Sequence, residues 1–307
     1  METLAEFLTQ HFGWLGNPVV VARQLLAAVS NGMLLFLISA GLSLIFGVSR
    51  IINFAHGVLF MLGAYLAVTV ALAGPAGIGL FAAGLAGAAA GLYVVGILIE
   101  SGLLRRIYRA PHEFQLLLTF ALVFIVGDLV KLIWGRADYG MEAPAALTGS
   151  TQAFGVVFPV YRLFLIVVGL AVAVALWFAL SRTRWGVLVR AATMDRQMLG
   201  ALGIDTRRLF TTVFALGAAL AGLGGALAAP IVAVGPGLHV QVIIEAFVVV
   251  VIGGMGSVMG ALVGSLLVGV VNAFGLLAFP GLAVVLTFAL MALILVVRPW
   301  GLFGAPE

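Results

Sequence analysis

The chain has no cysteine, a single lysine and only 8% charged residues across its 307 positions. Without cysteine there are no disulfides and no thiolate metal sites, and cysteine usage is silent about the redox compartment. The solitary Lys131 follows no glycine-rich turn. The sequence therefore carries no Walker-type phosphate loop, and any ATP that drives it is hydrolysed by another polypeptide. None of the four histidines pairs with another at metal-ligand spacing, and no nucleophile stands beside a base, so neither a metal site nor an enzyme is expected. Basic runs with interleaved aromatics are missing outside the loops, and the net charge of +4 does not indicate nucleic acid.

What the chain does have is apolar length. With 64% hydrophobic residues and a mean hydropathy of +1.27, it lies outside the range of soluble domains and is expected to be an integral membrane protein. Its 40 glycines suit membrane helices that approach closely through small residues. Residues 1–17 carry Glu2 and Glu6 but no cation, unlike the positive start of a cleavable signal. They are expected to form an interfacial helix, with Leu4, Phe7, Leu8 and Leu15 on one stripe and Pro18 ending it. Apolar runs come next at about 24–46, 57–73, 76–99, 114–134, 160–180, 209–233, 239–253, 258–278 and 281–297. Judged against the roughly 20 residues that a span needs, they predict an all-α polytopic bundle of eight to nine transmembrane helices over 18–307. Arg105, Arg106 and Arg109 put the loop 100–113 on the cytoplasmic side, and 135–161 suits an external loop.

The bundle is organised around Ser181 to Arg208, the longest stretch that cannot lie in a bilayer, which holds six of the 14 arginines. Within it Arg190–Leu202 reads as one short helix, with Ala191, Met194, Met198 and Leu202 on a common face and Asp195, Arg196 and Gln197 off it. Gly203 stops this helix, and Asp205 caps the apolar helix after it. Two readings stand: a coupling helix that inserts into a groove of a soluble partner, or an interfacial helix lying on lipid.

Two places break the helix count. Arg50–Gly57 puts Asn53 and His56 between two apolar runs with almost no loop. Such groups either line a watery path, where irregular backbone is tolerated at membrane depth, or satisfy helix ends in a tight turn. The run before Gly253-Gly254-Met255-Gly256 is short for a span, so either the helix starts near His239 or it is a half-helix. Glu245 sits inside it, a candidate path residue or a structural one paired with an arginine. Gly256, Gly260 and Gly264 recur every fourth residue as a helix-packing face. Asp128 and Lys131, three apart near Trp134, read as an interfacial pair.

Arg50-Ile51-Ile52-Asn53-Phe54-Ala55-His56-Gly57, followed by Met61-Leu62-Gly63-Ala64-Tyr65, closely resembles the signature of the LivH-type permeases of branched-chain amino-acid ABC importers. Arg190-Ala191-Ala192 with Asp195, Met198 and Gly203-Ile204 is similar to the family's ATPase-contacting loop, and Phe214 to Gly222 and Ala246 to Ser257 match its later motifs. The sequence departs at Glu245, where lysine is usual, and at Met259, where proline is usual. The resemblance implies a multi-pass subunit of a bacterial cytoplasmic membrane. Its implied partners are a second homologous permease, two ABC ATPase subunits that bind ATP and Mg, and an extracytoplasmic substrate-binding protein. Coupling would then fall to Arg190, Ala191, Asp195, Met198 and Gly203. The ligand stays open among branched-chain amino acids, amides, urea and small carboxylates. A competing class, an ATP-independent secondary transporter or channel, would need buried ionisable groups, of which the spans offer few beyond Glu245 and the Asp128–Lys131 pair. A structural subunit would leave the docking helix unexplained.

Overall fold

The structure, a computed structural model, describes residues 11–74, 77–108, 110–153 and 156–304. Its helices are α1 (Pro18–Ser49), α2 (His56–Ala71), α3 (Ile78–Ile99), α4 (His112–Trp134), α5 (Val160–Arg182), α6 (Arg184–Met194), α7 (Arg196–Ala201), α8 (Thr206–Ala228), α9 (Leu238–Gly253), α10 (Val258–Ala278) and α11 (Ala283–Val297). Helix α3 runs on through a wide π-helical turn, Glu100–Leu104, into a last α-turn, Arg105–Ile107. Among the described residues seven helical stretches are long and apolar enough to cross a membrane, and α2 and α9 are shorter apolar helices. The chain is thus a polytopic, nearly all-helical membrane protein. The exception is a hairpin, β1 (Ser150–Ala153) against β2 (Val156–Pro159), with Ser150 opposite Pro159, inside the expected external loop.

The nine apolar runs correspond one to one with the nine helices that are not α6 or α7, but their ends differ. Pro18 opens α1 where a stop was expected: proline is suited to the first turn, where its missing N–H costs nothing, and Asn17 caps that turn through the Val19 and Val20 amides. Residues 1–10 of the expected interfacial helix lie outside the described residues. Just before Pro18 the chain makes a short 3-10 turn, Gly13–Gly16, with Phe12 and Trp14 packed on Phe279 and Phe274 near the end of α10.

The most deeply buried spans are α1 and α8. Helix α8 succeeds there because its inward face is Gly217, Ala218, Ala221, Gly222 and Gly225, which lets α2 and α3 come to backbone contact. Helix α10 lies along α1, and α9 is held between α1, α2, α10 and α11. Helices α4, α5 and α11 form the rim and turn rows of large apolar side chains outward, as a lipid-facing surface does. Arg196 over the Tyr108 ring joins residues 100–108 to 181–208, and Arg105–Thr211 and Arg50–Thr193 hold them at the same end of the bundle. The 135–161 segment joins the other end, where Tyr139 bridges Val234 and Tyr161 donates to the Leu227 carbonyl.

Candidate functional site

The connection from α5 to α8 contains almost no free loop. Thr183 caps α6 by accepting from the Gly186 amide at 3.1 Å, and Val189 and Ala192 bury against Leu44, Val48, Leu209 and Val213. At Asp195 the backbone turns extended, with φ −147° and ψ 101°. Its Oδ1 accepts from the amides of Gln197 at 2.8 Å and Met198 at 2.9 Å, starting α7. The single helix expected over Arg190–Leu202 is therefore two, because an aspartate that caps a new helix ends the old one. Gly203, at φ 78°, closes α7: its amide bonds the Gly200 carbonyl and the Ile204 amide bonds the Leu199 carbonyl, a Schellman turn. Asp205 then caps α8 through the Arg207 and Arg208 amides, both at 3.1 Å.

This rigid segment presents Met194, Met198 and Leu202 to the surface at 86%, 58% and 70% exposure. Ala191, expected on the same face, is half-buried against the bundle. Arg190 is exposed and its Nη1 donates to the Leu180 carbonyl, tying α6 back to α5. Arg50 Nη2 reaches the Thr193 carbonyl at 3.5 Å and links the same segment to the end of α1.

A polar cluster beneath α7 has no counterpart among the sequence expectations. Glu100, expected in a loop, is fully buried at the end of α3. Its Oε2 accepts from Arg105 Nη2 at 2.9 Å and from Thr211 Oγ1 at 2.5 Å, and its Oε1 accepts from the Tyr108 hydroxyl at 3.2 Å. Burial, and then the neighbouring carboxylate, push the Tyr108 phenol far above its ordinary range, so it remains a donor. Arg196, the first residue of α7, lies 4.3 Å from the Phe210 ring centre and 5.2 Å from that of Tyr108. A five-residue separation of acid and base brings them together only across a π-turn, so the usual helical spacings hide the pair.

The Arg50–Gly57 stretch is a re-entrant turn. Arg50 ends α1 in the left-handed region at φ 55°. The chain then turns back along α1, and His56, at the start of α2, donates from Nε2 to the Ile38 carbonyl at 3.0 Å. Asn53 Oδ1 accepts from the Ala55 amide at 3.1 Å, and its carbonyl accepts from the His56 amide at 3.2 Å. Both side chains are buried, and Asn53 Nδ2 and His56 Nδ1 have no partner among the described residues. Phe54 stacks on Phe120 of α4 and packs against Phe247 of α9.

Helix α9 begins at Leu238 and ends at Gly253, so it both starts early and is short: its 16 residues span about 24 Å against a core of about 30 Å. The C-terminal segment completes its end, with the Leu302 amide on the Ile252 carbonyl and the Phe303 amide on the Gly253 carbonyl, each at 2.9 Å. Glu245 is half-buried beside the exposed Ile244. Its Oε1 accepts from Gln241 at 3.3 Å; no arginine pairs with it among the described residues, and no hydrogen bond joins it to Asn53 or His56. Of the glycine row, Gly260 and Gly264 abut the α9 backbone at Gly253 and Val249. Gly256 lies in the turn before α10, at φ 89°, against Gly47 of α1. Asp128 and Lys131 form the expected pair at 2.8 Å. Among the described residues no group of three or more metal-ligating side chains comes together.

Residues 24–295 match the family model described as "Branched-chain amino acid transport system / permease component". The high-affinity branched-chain amino acid transport system permease protein BraD of Pseudomonas aeruginosa is 31% identical, over 93% of this chain and 96% of its own. The LivH permease proteins of the corresponding high-affinity systems in Salmonella typhimurium and Escherichia coli are 30% and 28% identical, each over 93% of this chain and 96% of theirs. No solved structure matches.

Proposed function

The chain belongs to the branched-chain amino acid transport permease family, and on that premise we propose that it is the transmembrane permease subunit of an ABC importer. It would carry branched-chain amino acids, or related amides, urea or small carboxylates, inward across the bacterial cytoplasmic membrane. Its free energy would come from ATP and Mg bound by two partner ATPase subunits, and its ligand from an external binding protein. A second, related permease would complete the path. The observation that carries this reading is the triply capped segment between α5 and α8, which holds Met194, Met198 and Leu202 out of an arginine-rich surface. An apolar stripe on a segment without slack suits a groove in a moving partner, because a rigid connector passes on a displacement that a loop would absorb. Arg190 ties the segment back to α5, Asp195 sets the boundary between its two helices, Ala191 seats it, Met198 touches the partner and Gly203 fixes the exit.

Asn53 and His56 are assigned to the path. Support comes from their burial alongside α1, Asn53 in irregular backbone and His56 at the start of α2, each with an unpaired nitrogen. Glu245, half-buried on α9 with Gln241 as its hydrogen-bond partner, is assigned to the path with them. The deciding experiment reconstitutes the chain with candidate ATPase and binding-protein partners in proteoliposomes and follows labelled leucine, isoleucine and valine. Uptake that requires both ATP and the binding protein is expected. Uptake driven by a proton or sodium gradient without ATP would overturn the reading in favour of a secondary transporter.

A further inference from the structure

Four arginines and one carboxylate surround a cavity of about 360 Å3 at the arginine-rich end of the bundle. The cavity joins the end of α3, through Glu100, Arg105, Arg106 and Tyr108, to Arg196 of α7 and to Arg207 and Phe210 of α8. The charges are not balanced. Glu100 is the buried floor, and both of its oxygens are already engaged by Arg105, Thr211 and Tyr108. Among the described residues no carboxylate lies within ion-pair distance of Arg106, Arg196 or Arg207. Three guanidinium groups facing one cavity without a counter-charge repel each other and keep their donors free. An anion that bridges them removes both costs, and a phosphate accepts from several arginine N–H groups at once.

We propose that Arg106, Arg196 and Arg207 bind the phosphate of an anionic phospholipid headgroup over the Glu100–Arg105 pair. The depth of the cavity favours a lipid as the source. Glu100 directly follows the 22 apolar residues of α3, which places the cavity where the span meets the headgroup layer. Leu98 and Leu103, exposed on the same stretch of helix, offer a surface for acyl chains beside it. Basic pockets between spans at the cytoplasmic face are suited to such headgroups. Arg196 gives the site a consequence. Because it is the first residue of α7, a phosphate held in common by α3, α7 and α8 fixes the position of the Met198 and Leu202 stripe. That second step rests on the coupling role proposed above, whereas the binding itself does not.

The test measures lipid retention, so its failure is separate from failure of the transport reading. The purified chain is equilibrated with mixed phosphatidylglycerol and phosphatidylcholine and then examined by native mass spectrometry. Wild type is expected to keep a phosphatidylglycerol under conditions that strip phosphatidylcholine. The double variant Arg106→Gln/Arg207→Gln is expected to lose at least tenfold in that retention. Arg208→Gln, whose arginine pairs with Asp205 outside the cavity, is expected to behave as wild type. Both altered positions are exposed; should the double variant unfold, each single variant is expected to lower retention by itself. Equal retention of the two lipids by wild type, or undiminished retention in the variants, would overturn the site. Displacement of the lipid by millimolar inorganic phosphate would assign it to a soluble anion instead. If the variants keep the lipid but, purified with a partner ATPase, retain less of that ATPase than wild type, the cavity is a protein contact and the lipid site is overturned.

Discussion

His56 donates from Nε2 to the carbonyl oxygen of Ile38 at 3.0 Å, although Ile38 lies eleven residues before the end of α1. At a rise of about 1.5 Å per residue, that is roughly 16 Å back along the helix. Residues 50–55 therefore descend beside α1 as irregular backbone, and α2 starts part-way along it. The neighbouring Gly57 has no room for a side chain, since a Cβ would meet the His239 carbonyl at 2.6 Å. The first turns of the two short helices α2 and α9 consequently touch.

This contact predicts the outcome of changing His56 and Asn53. His56→Leu removes the brace to Ile38 and the free Nδ1, and Asn53→Leu removes the acceptor of the Ala55 amide. Each loss of a buried hydrogen bond is expected to cost about 1–3 kcal/mol. Both proteins should still insert and assemble, with uptake reduced at least tenfold. Binding of a partner ATPase, measured by copurification, should persist. Unchanged uptake in both variants would leave the pair as a helix brace only.

The arginines predict the orientation of the bundle. Gln197, at the end of the bundle that gathers residues 100–108 and 181–208, and Thr148, in the segment at the other end, are both exposed. The chain has no cysteine, so a single cysteine at either position can be labelled cleanly. An impermeant thiol reagent applied to intact cells is expected to label Thr148→Cys and spare Gln197→Cys, because arginine-rich short loops stay inside. The reverse pattern would invert the bundle and put the proposed ATPase surface on the wrong side.

The glycines of α7 and α10 divide into positions with room and positions without. A Cβ on Gly260 would overlap the Gly253 carbonyl, and one on Gly264 would lie 2.7 Å from the Val249 carbonyl. Gly260→Val should therefore force α10 away from α9 and lower the melting temperature by several degrees, with loss of uptake. Gly200, in α7, has nothing within 4 Å of an added Cβ. Gly200→Ala is expected to fold as well as wild type, or better by up to about 1 kcal/mol, since alanine is the better helix former.

The helices are legible in the sequence because hydropathy is a sum over twenty residues, and small errors at single positions cancel. Ends are harder to read. Pro18 looks like a stop, and only the Asn17 cap in front of it distinguishes a helix start from a helix end. Asp195 looks like a polar residue on one helix, although an aspartate with free backbone amides two and three residues ahead is equally a cap that splits it. Gly203 and Asp205 are legible, since positive φ and side-chain capping are local properties. Glu100 is not: a buried carboxylate at the end of an apolar run looks like the first residue of a loop until Arg105, Tyr108 and Thr211 close around it. Asn53 bonds the Ala55 amide two residues on, a local turn pattern, whereas the partner of His56 lies on α1 backbone that no local pattern encodes.

The segment between α5 and α8 gives the sharpest prediction, because two of its residues, Asp195 and Gly203, act through different physics. Asp195 holds α7 through two hydrogen bonds to amides, and Asp195→Ala should cost about 1 kcal/mol of local helix stability. Asp195→Asn keeps an acceptor at the same place and should restore most of it. At Gly203 a side chain would touch nothing, for the space around it is empty; the whole cost lies in the backbone, at φ 78°. Any residue with a Cβ pays about 1–2 kcal/mol there, and a β-branched one more, so Gly203→Val should unwind the end of α7 and displace Leu202. If α7 carries motion from an ATPase, Gly203→Val should lower bound ATPase or uncouple hydrolysis from uptake while the spans stay inserted. Asp195→Ala should do so in part, and Asp195→Asn hardly at all. Bound ATPase, hydrolysis and transport are measured together on the purified assembly. Wild-type values for all three in both Gly203→Val and Asp195→Ala would assign the exposed Met194, Met198 and Leu202 to the lipid surface, since a partner that drives this segment must feel its shape.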